Sequence, residues 1–261
     1  METDPHRWVQ ALRTSHDVLV ALGLELTTEQ LAQGSYCRDW DVAQVLSHLG
    51  SGAEIGLIGL ERVLVNDPPL DREQFPVIWG RWNDLSAVDK AHDMVAWDRR
   101  YVSVLQALDE KTVKSLRMSV FGMDLDAVGI VGIRLGEHAL HSWDVAVTFD
   151  PTAEVLPSSI ELLVDRTPFM AGWMAKPERA TSRTQIKVRT SHPERHFLLS
   201  IGESVALTQQ VEGPIDGGLD LTAAALLRLI SGRLDPQHTP PGTTTTGSAN
   251  LDELRQIFAG D

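Results

Sequence analysis

Residues 128–149, VGIVGIRLGEHALHSWDVAVTF, are apolar enough to read as a buried helix, yet the centre, GEHALH at 136–141, carries one carboxylate and two imidazoles. Buried without partners, such groups cost several kcal/mol. Glu137 and His141 are four residues apart, so on a helix they share one face about a turn apart. His138 lies about 100° around the helix from Glu137, which makes Glu137 with His141 the tighter pair. A set with His138 and His141, three apart, also stands. What neutralises these groups decides both the fold and the chemistry.

Working upstream, the chain holds further amphipathic helical patterns. DPHRWVQALRTSHDVLVALGL (4–24) places Trp8, Leu12, Val18, Leu19 and Leu22 near a 3.6-residue period. Asp4-Pro5 starts this helix as N-cap and first residue, and Gly23 closes it. LTTEQLAQGSYC (26–37) is a connector with room for one helical turn. DWDVAQVLSHLGSGAEIGLIGLERVLV (39–65) forms a second long helix with acidic residues in its first turn, broken by NDPP (66–69). Residues 84–108 form a third, with Val88, Met94, Val95, Tyr101, Val102 and Leu105 on the buried side. TVKSLRMSVFGMDLDAVG (112–129) is a looser connection with one short strand, and residues 125–148 complete four antiparallel helices. Bundles of this kind build metal sites from facing helices.

Beyond Pro151 the period changes. TQIKVRT (184–190), RHFLLSIG (195–202) and ESVALTQQV (203–211) alternate as strands do, and GPIDGG (213–218) turns. DLTAAALLRLISGR (220–233) is a short amphipathic helix ending at Gly232. PQHTPPGTTTTGSAN (236–250) reads as a mobile, solvated loop and LDELRQIF (251–258) as a terminal helix. The fold class is therefore α+β: a four-helix bundle over 1–150 and a smaller α+β domain over 151–261.

Composition excludes several functions. Lys plus Arg is 23 and Asp plus Glu is 36, a net charge of −13. Such a chain repels nucleic-acid phosphates and anionic membranes. No apolar run reaches the roughly 20 residues of a membrane span, and METDPHRW is too polar and acidic for a secretory signal. The single cysteine, Cys37, excludes an internal disulfide or a CxxC site. A cytoplasmic protein, monomeric or a small homo-oligomer, is the expectation, and thiol chemistry beyond Cys37 needs a borrowed thiol.

The second long helix contributes His48, again in apolar surroundings. Each histidine alone reads more often as an ordinary buried residue, and Glu137 with His141 reads equally as a hydrogen-bonded structural pair. Together, His48, Glu137 and His141 make two imidazoles and a carboxylate on two helices, a set that suits a divalent metal with open positions.

YCRDWDVAQVLSHLG (36–50) and RLGEHALHSWDVAVTF (134–149) resemble the two signatures of the mycothiol-dependent maleylpyruvate isomerase family, within the DinB-like metalloenzyme bundles. CRDW stands where many relatives have Pro-Gly before the Trp. The resemblance covers about the first 150 residues well. It continues more weakly into a small sterol-carrier-like domain, with LLRLISGR (226–233) as its best match. It implies that His48, Glu137 and His141 are the metal ligands, usually of zinc, and that mycothiol is the low-molecular-weight thiol. The implied activity is attack of a mycothiol thiolate on a small electrophile, by a thiol S-transferase or by a cis–trans isomerase of the maleylpyruvate type. Asp144 orients His141 in this reading, Arg233 clamps a substrate carboxylate, and Arg134 and Arg228 face the cofactor. For each there is a plainer role, as a packing carboxylate or a surface or helix-terminal arginine. Two alternatives remain: a metal-dependent hydrolase using zinc-bound water, and a non-catalytic small-molecule-binding protein.

Overall fold

The computed structural model describes residues 2–120 and 122–260. The chain divides into two compact units, Thr3–Ser159 and a second beginning at Ile160.

In the first unit, helix α1 spans Pro5–Glu25, capped by Asp4, whose Oδ1 accepts the His6 backbone N–H at 3.0 Å. It does not close at Gly23. That glycine is buried inside the helix, where an added Cβ would stand 3.1 Å from Met94 Cε and 3.3 Å from Val95 Cγ2, so it serves close helix packing. Helix α2 (Thr28–Leu31) is the one turn anticipated in the connector, held by a reciprocal capping box between Thr27 and Gln30. Helix α3 spans Val42–Leu64. The acidic residue at its start is the N-cap, Asp41, accepting the Gln44 N–H at 2.6 Å, and none lies in the first turn itself. Helix α4 (Phe75–Asn83) has no counterpart in the sequence reading; of its nine residues only Trp82 is buried. Helix α5 (Ala87–Ala107) buries Met94, Val95, Tyr101, Val102 and Leu105, but Val88 in its first turn faces solvent.

Helix α6 (Glu110–Ser115) leads into an antiparallel hairpin of β1 (Arg117–Val120) and β2 (Met123–Asp126), two strands where one was read. Gly122 takes the left-handed φ of +82° that this turn requires. Helix α7, Ala127–Phe149, starts at the Asp126 cap. Helices α1 and α3 each pack on both α5 and α7, giving the four-helix bundle. Leu19, Leu46, Leu49, Trp82, Met94 and Val145 share one core cluster. Each such large apolar side chain contributes about 1.5–3 kcal/mol by leaving water.

Helix α8 (Pro157–Leu163) holds the division between the units. Helix α9 (Thr167–Met174) follows it; neither was read from the sequence. Strands β3 (Thr184–Ser191), β4 (Arg195–Ile201), β5 (Val205–Thr208) and β6 (Gly217–Thr222) precede α10 (Ala223–Ile230), β7 (Thr244–Gly247) and α11 (Leu251–Ile257). Sheet order is β5-β4-β3-β6-β7, parallel only between β3 and β6. Residues 220–222, read as helix, end β6, and Thr222 caps α10. Gly232, at φ +73°, turns the chain after α10 as anticipated. The TTTT run is an edge strand, not a solvated loop. Thr244–Gly247 are all exposed and pair with β6, while Thr243 lies outside the strand. Among the described residues, no helix is long and apolar enough to cross a membrane.

Candidate metal centre

The bundle brings His48, Glu137 and His141 together. One nitrogen or oxygen from each lies within 4.8 Å of the other two. His48 Nε2 donates to Glu137 Oε2 at 2.9 Å, and His141 Nε2 stands 3.6 Å from the same oxygen. The two imidazole centroids are 4.8 Å apart. Tetrahedral ligands at zinc bond lengths of about 2.0–2.2 Å stand roughly 3.3–3.6 Å from one another. The observed spacing brackets that range, and the donor set is the right chemistry for a divalent ion.

Exposure is graded across the site. The side chains of His48 and Glu137 are 37% and 41% exposed, while that of His141 is 11%. The centre therefore opens on the His48 and Glu137 side and is closed behind His141. Partial burial pulls the Glu137 carboxyl upward most strongly. The hydrogen bond from His48 and the charges of His141, His48 and Arg134 outweigh it and bring the pKa from 4.5 down to about 2.

Behind His141, Nδ1 donates to Asp144 Oδ2 at 2.8 Å, and the Asp144 side chain is fully buried. That bond puts the proton on Nδ1 and leaves the Nε2 lone pair directed at the Glu137 side. Cys37 Sγ joins this inner group, 3.2 Å from Asp144 Oδ2 and 4.0 Å from His141 Nδ1. Sequence reasoning missed this contact, which depends on the 36–41 segment folding over α7. The Tyr36 N–H bonding the Asp144 carbonyl at 3.3 Å marks that folding. The indole of Trp40 lies beside both imidazoles, at 5.2 Å from His48 and 6.2 Å from His141.

His138 is directed elsewhere. Its Nε2 donates to Asp98 Oδ1 at 2.9 Å on the core-facing side of α7. Asp98, wholly buried on α5, also accepts from His16 Nδ1 at 2.7 Å and from Arg134 Nε and Nη2 at 3.1 and 2.5 Å. Burial pushes Asp98 upward, but the charges of His138 and Arg134 and the hydrogen bonds of His138 and His16 hold it well below 3.8. For His138, burial prevails over the attraction of Asp98 and keeps the ring below its ordinary 6.5. Asp98 and His16 had no signal in the sequence. AWDRRY (96–101) reads as a solvated charged face until α5 is packed in the bundle.

Arg134 is thus buried and bonded to Asp98, with a further bond from Nη2 to the Leu49 carbonyl at 3.0 Å. In the second unit, Arg228 is buried and donates from Nη1 to the His238 carbonyl at 2.9 Å. Arg233 is half-buried and donates to the Ser231 carbonyl at 2.9 Å.

Two histidines and a carboxylate on facing helices, half open to solvent, define a helical bundle with a candidate metal-binding donor set. The chain belongs to the family of the mycothiol maleylpyruvate isomerase N-terminal domain, whose model matches residues 12–146. Its fold is similar to the crystal structure of the mycothiol-dependent maleylpyruvate isomerase, with a TM-score of 0.69 at 10% identity, over 95% of this chain and 96% of that one. A histidine-to-alanine mutant of a mycothiol-dependent maleylpyruvate isomerase matches with a TM-score of 0.67, at the same identity and coverage. Among curated proteins, no relative matches the chain.

Proposed function

We propose that this chain is an enzyme that uses mycothiol as nucleophile against a small electrophile, with a divalent metal, zinc, held by His48, Glu137 and His141. The observation that carries the reading is the convergence of these three donor atoms within 4.8 Å, on facing helices, in a chain of this family. When bound, the ion supplies a positive charge that lowers the pKa of a thiol and makes thiolate available at neutral pH.

The protein's own residues set the conditions. Asp144 holds the His141 proton on Nδ1 and so keeps Nε2 free to ligate. Glu137, with its pKa near 2, stays ionised throughout the physiological range. Trp40 shields both imidazoles on one side, and the exposed side of His48 and Glu137 admits thiol and substrate. A thiolate there adds to an activated double bond, whose electron pair moves to the conjugated carbonyl oxygen. The resulting single bond rotates, and the returning electron pair expels the thiolate to give the trans product. In an S-transferase the same thiolate stays on the electrophile. The two reactions share their first step. Within the second unit, Arg228 braces the segment at His238 and Arg233 is half-buried against the Ser231 carbonyl.

The test is titration of the zinc-loaded chain with mycothiol, following thiolate absorbance, beside turnover of maleylpyruvate and of general electrophiles. Thiolate formation at neutral pH, lost in His48→Ala, supports the reading. No thiol pKa lowering together with no turnover removes it, and turnover in a thiol-free assay replaces it with zinc-dependent hydrolysis.

A further inference from the structure

The buried cluster of Asp98, His16, Arg134 and His138 lies outside the three-donor set, yet its hydrogen bonds run to the backbone and helix that carry that set. Arg134 and His138 are four residues apart on α7, so they share a face, with Glu137 about 60° around the helix from Arg134 and about 100° from His138. Both are tied to one oxygen, Asp98 Oδ1, at 2.5 and 2.9 Å. Two tethers at this spacing fix the rotation of α7 about its own axis, and that rotation decides where Glu137 and His141 point. The second Arg134 bond goes to the carbonyl of Leu49, the residue after His48, at 3.0 Å. Its guanidinium reaches α3 at Gly52, where an added Cβ would stand 3.4 Å from Nη1. One carboxylate on α5 thereby sets α7, and through a single guanidinium sets α7 against the turn of α3 that bears His48.

We propose that Asp98 and Arg134 are positioning residues for the His48–Glu137–His141 centre. For stability alone this cluster is a poor solution. Apolar replacements of buried ion pairs are often neutral or stabilising, and the fully buried His138 Nδ1 has no hydrogen-bond partner among the described residues. The cluster instead supplies directional bonds where packing alone leaves helix rotation and register loosely specified. Part of the inference, the effect on metal affinity, rests on the functional reading above; the effect on the contact between His48 and Glu137 does not.

The experiment compares the full chain with Arg134→Lys, which keeps a cation for Asp98 but lacks the fork that also reaches Leu49. In metal-free crystals of the variant, His48 Nε2 and Glu137 Oε2 move beyond hydrogen-bond distance, and calorimetry with Zn²⁺ alone shows affinity lowered about 10–100-fold. Asp98→Asn, isosteric and without the buried charge, carries the same expectation and stands in if Arg134→Lys does not fold. Leu105→Ala, a cavity variant on α5, lowers thermal stability as well and leaves Zn²⁺ affinity unchanged, so stability loss by itself does not mimic the effect. An intact contact between His48 and Glu137 in the folded variants, or wild-type Zn²⁺ affinity, overturns the positioning role. Should the wild-type chain take up no Zn²⁺, the metal reading fails, and the crystal contact alone decides the positioning role.

Discussion

At the scale of single residues, two carboxyl groups are held acidic by what surrounds them. Glu137 falls to about 2 and Asp98 well below 3.8, both against burial. A carboxyl group whose folded pKa lies below its unfolded one stabilises the fold fully above the unfolded value, and that contribution is lost as pH falls through the folded value. The metal-free chain is therefore expected to lose stability progressively from about pH 4.5 toward pH 2, as urea midpoints measured in chelator will show. Glu137→Gln flattens that profile in part, and Asp98→Asn flattens it further. Because His141 donates its Nδ1–H to Asp144 in a hydrogen bond, Asp144→Asn should weaken metal binding about 10–100-fold without abolishing it. His48→Ala and His141→Ala should remove it. Elemental analysis of the dialysed proteins distinguishes the three.

At the scale of elements, α3 brings His48 to Glu137 and His141 on α7. Its N-cap, Asp41, lies two turns before His48, so Asp41→Ala should cost about 1 kcal/mol in urea unfolding and fray the turns leading to the ligand. Two residues after His48, Gly50 lets the α4 indole of Trp82 lie directly on the helix. An added Cβ would stand 2.2 Å from Trp82 Cη2 and 3.0 Å from the Met94 Cα. The ring is buried, with its Nε1 donating to Glu54 Oε2 at 2.7 Å and Arg81 paired to the same carboxylate, and so has little room to give. Gly50→Ala should cost about 1–3 kcal/mol by overpacking and change the fluorescence of Trp82. A variant as stable as wild type would show that α4 yields readily.

At the scale of the whole molecule, a ligand that binds only the folded bundle stabilises it by mass action. Zn²⁺ at 100 times its dissociation constant should add about 2.7 kcal/mol, read as a rise in Tm that chelator reverses and that His48→Ala abolishes. Hydrogen exchange should show the added protection in α3 and α7. A net charge of −13 favours uptake of a cation and disfavours polyanions.

Much of this architecture is local information, and local information survives in a sequence. The helical period of α1, α3, α5 and α7, the Asp4-Pro5 start, the alternation of β3 and β4 and the i,i+4 spacing of Glu137 and His141 each depend on residues a few positions apart. So does the pairing of His48 with an apolar helix face, which is why the three candidate ligands were legible before the fold. What depends on chains crossing in space was not legible. Gly23 looks like a stop signal until α5 packs on it, and the exposed Thr244–Gly247 stretch pairs as a strand where β6 offers it an edge. Asp98 looks solvated until three helices surround it, and Cys37 meets Asp144 only when its turn folds over α7. The sequence by itself determined which faces are apolar and which side chains carry the chemistry. Only tertiary structure decided which of those side chains meet, because burial and hydrogen bonding between distant segments have no period along the chain.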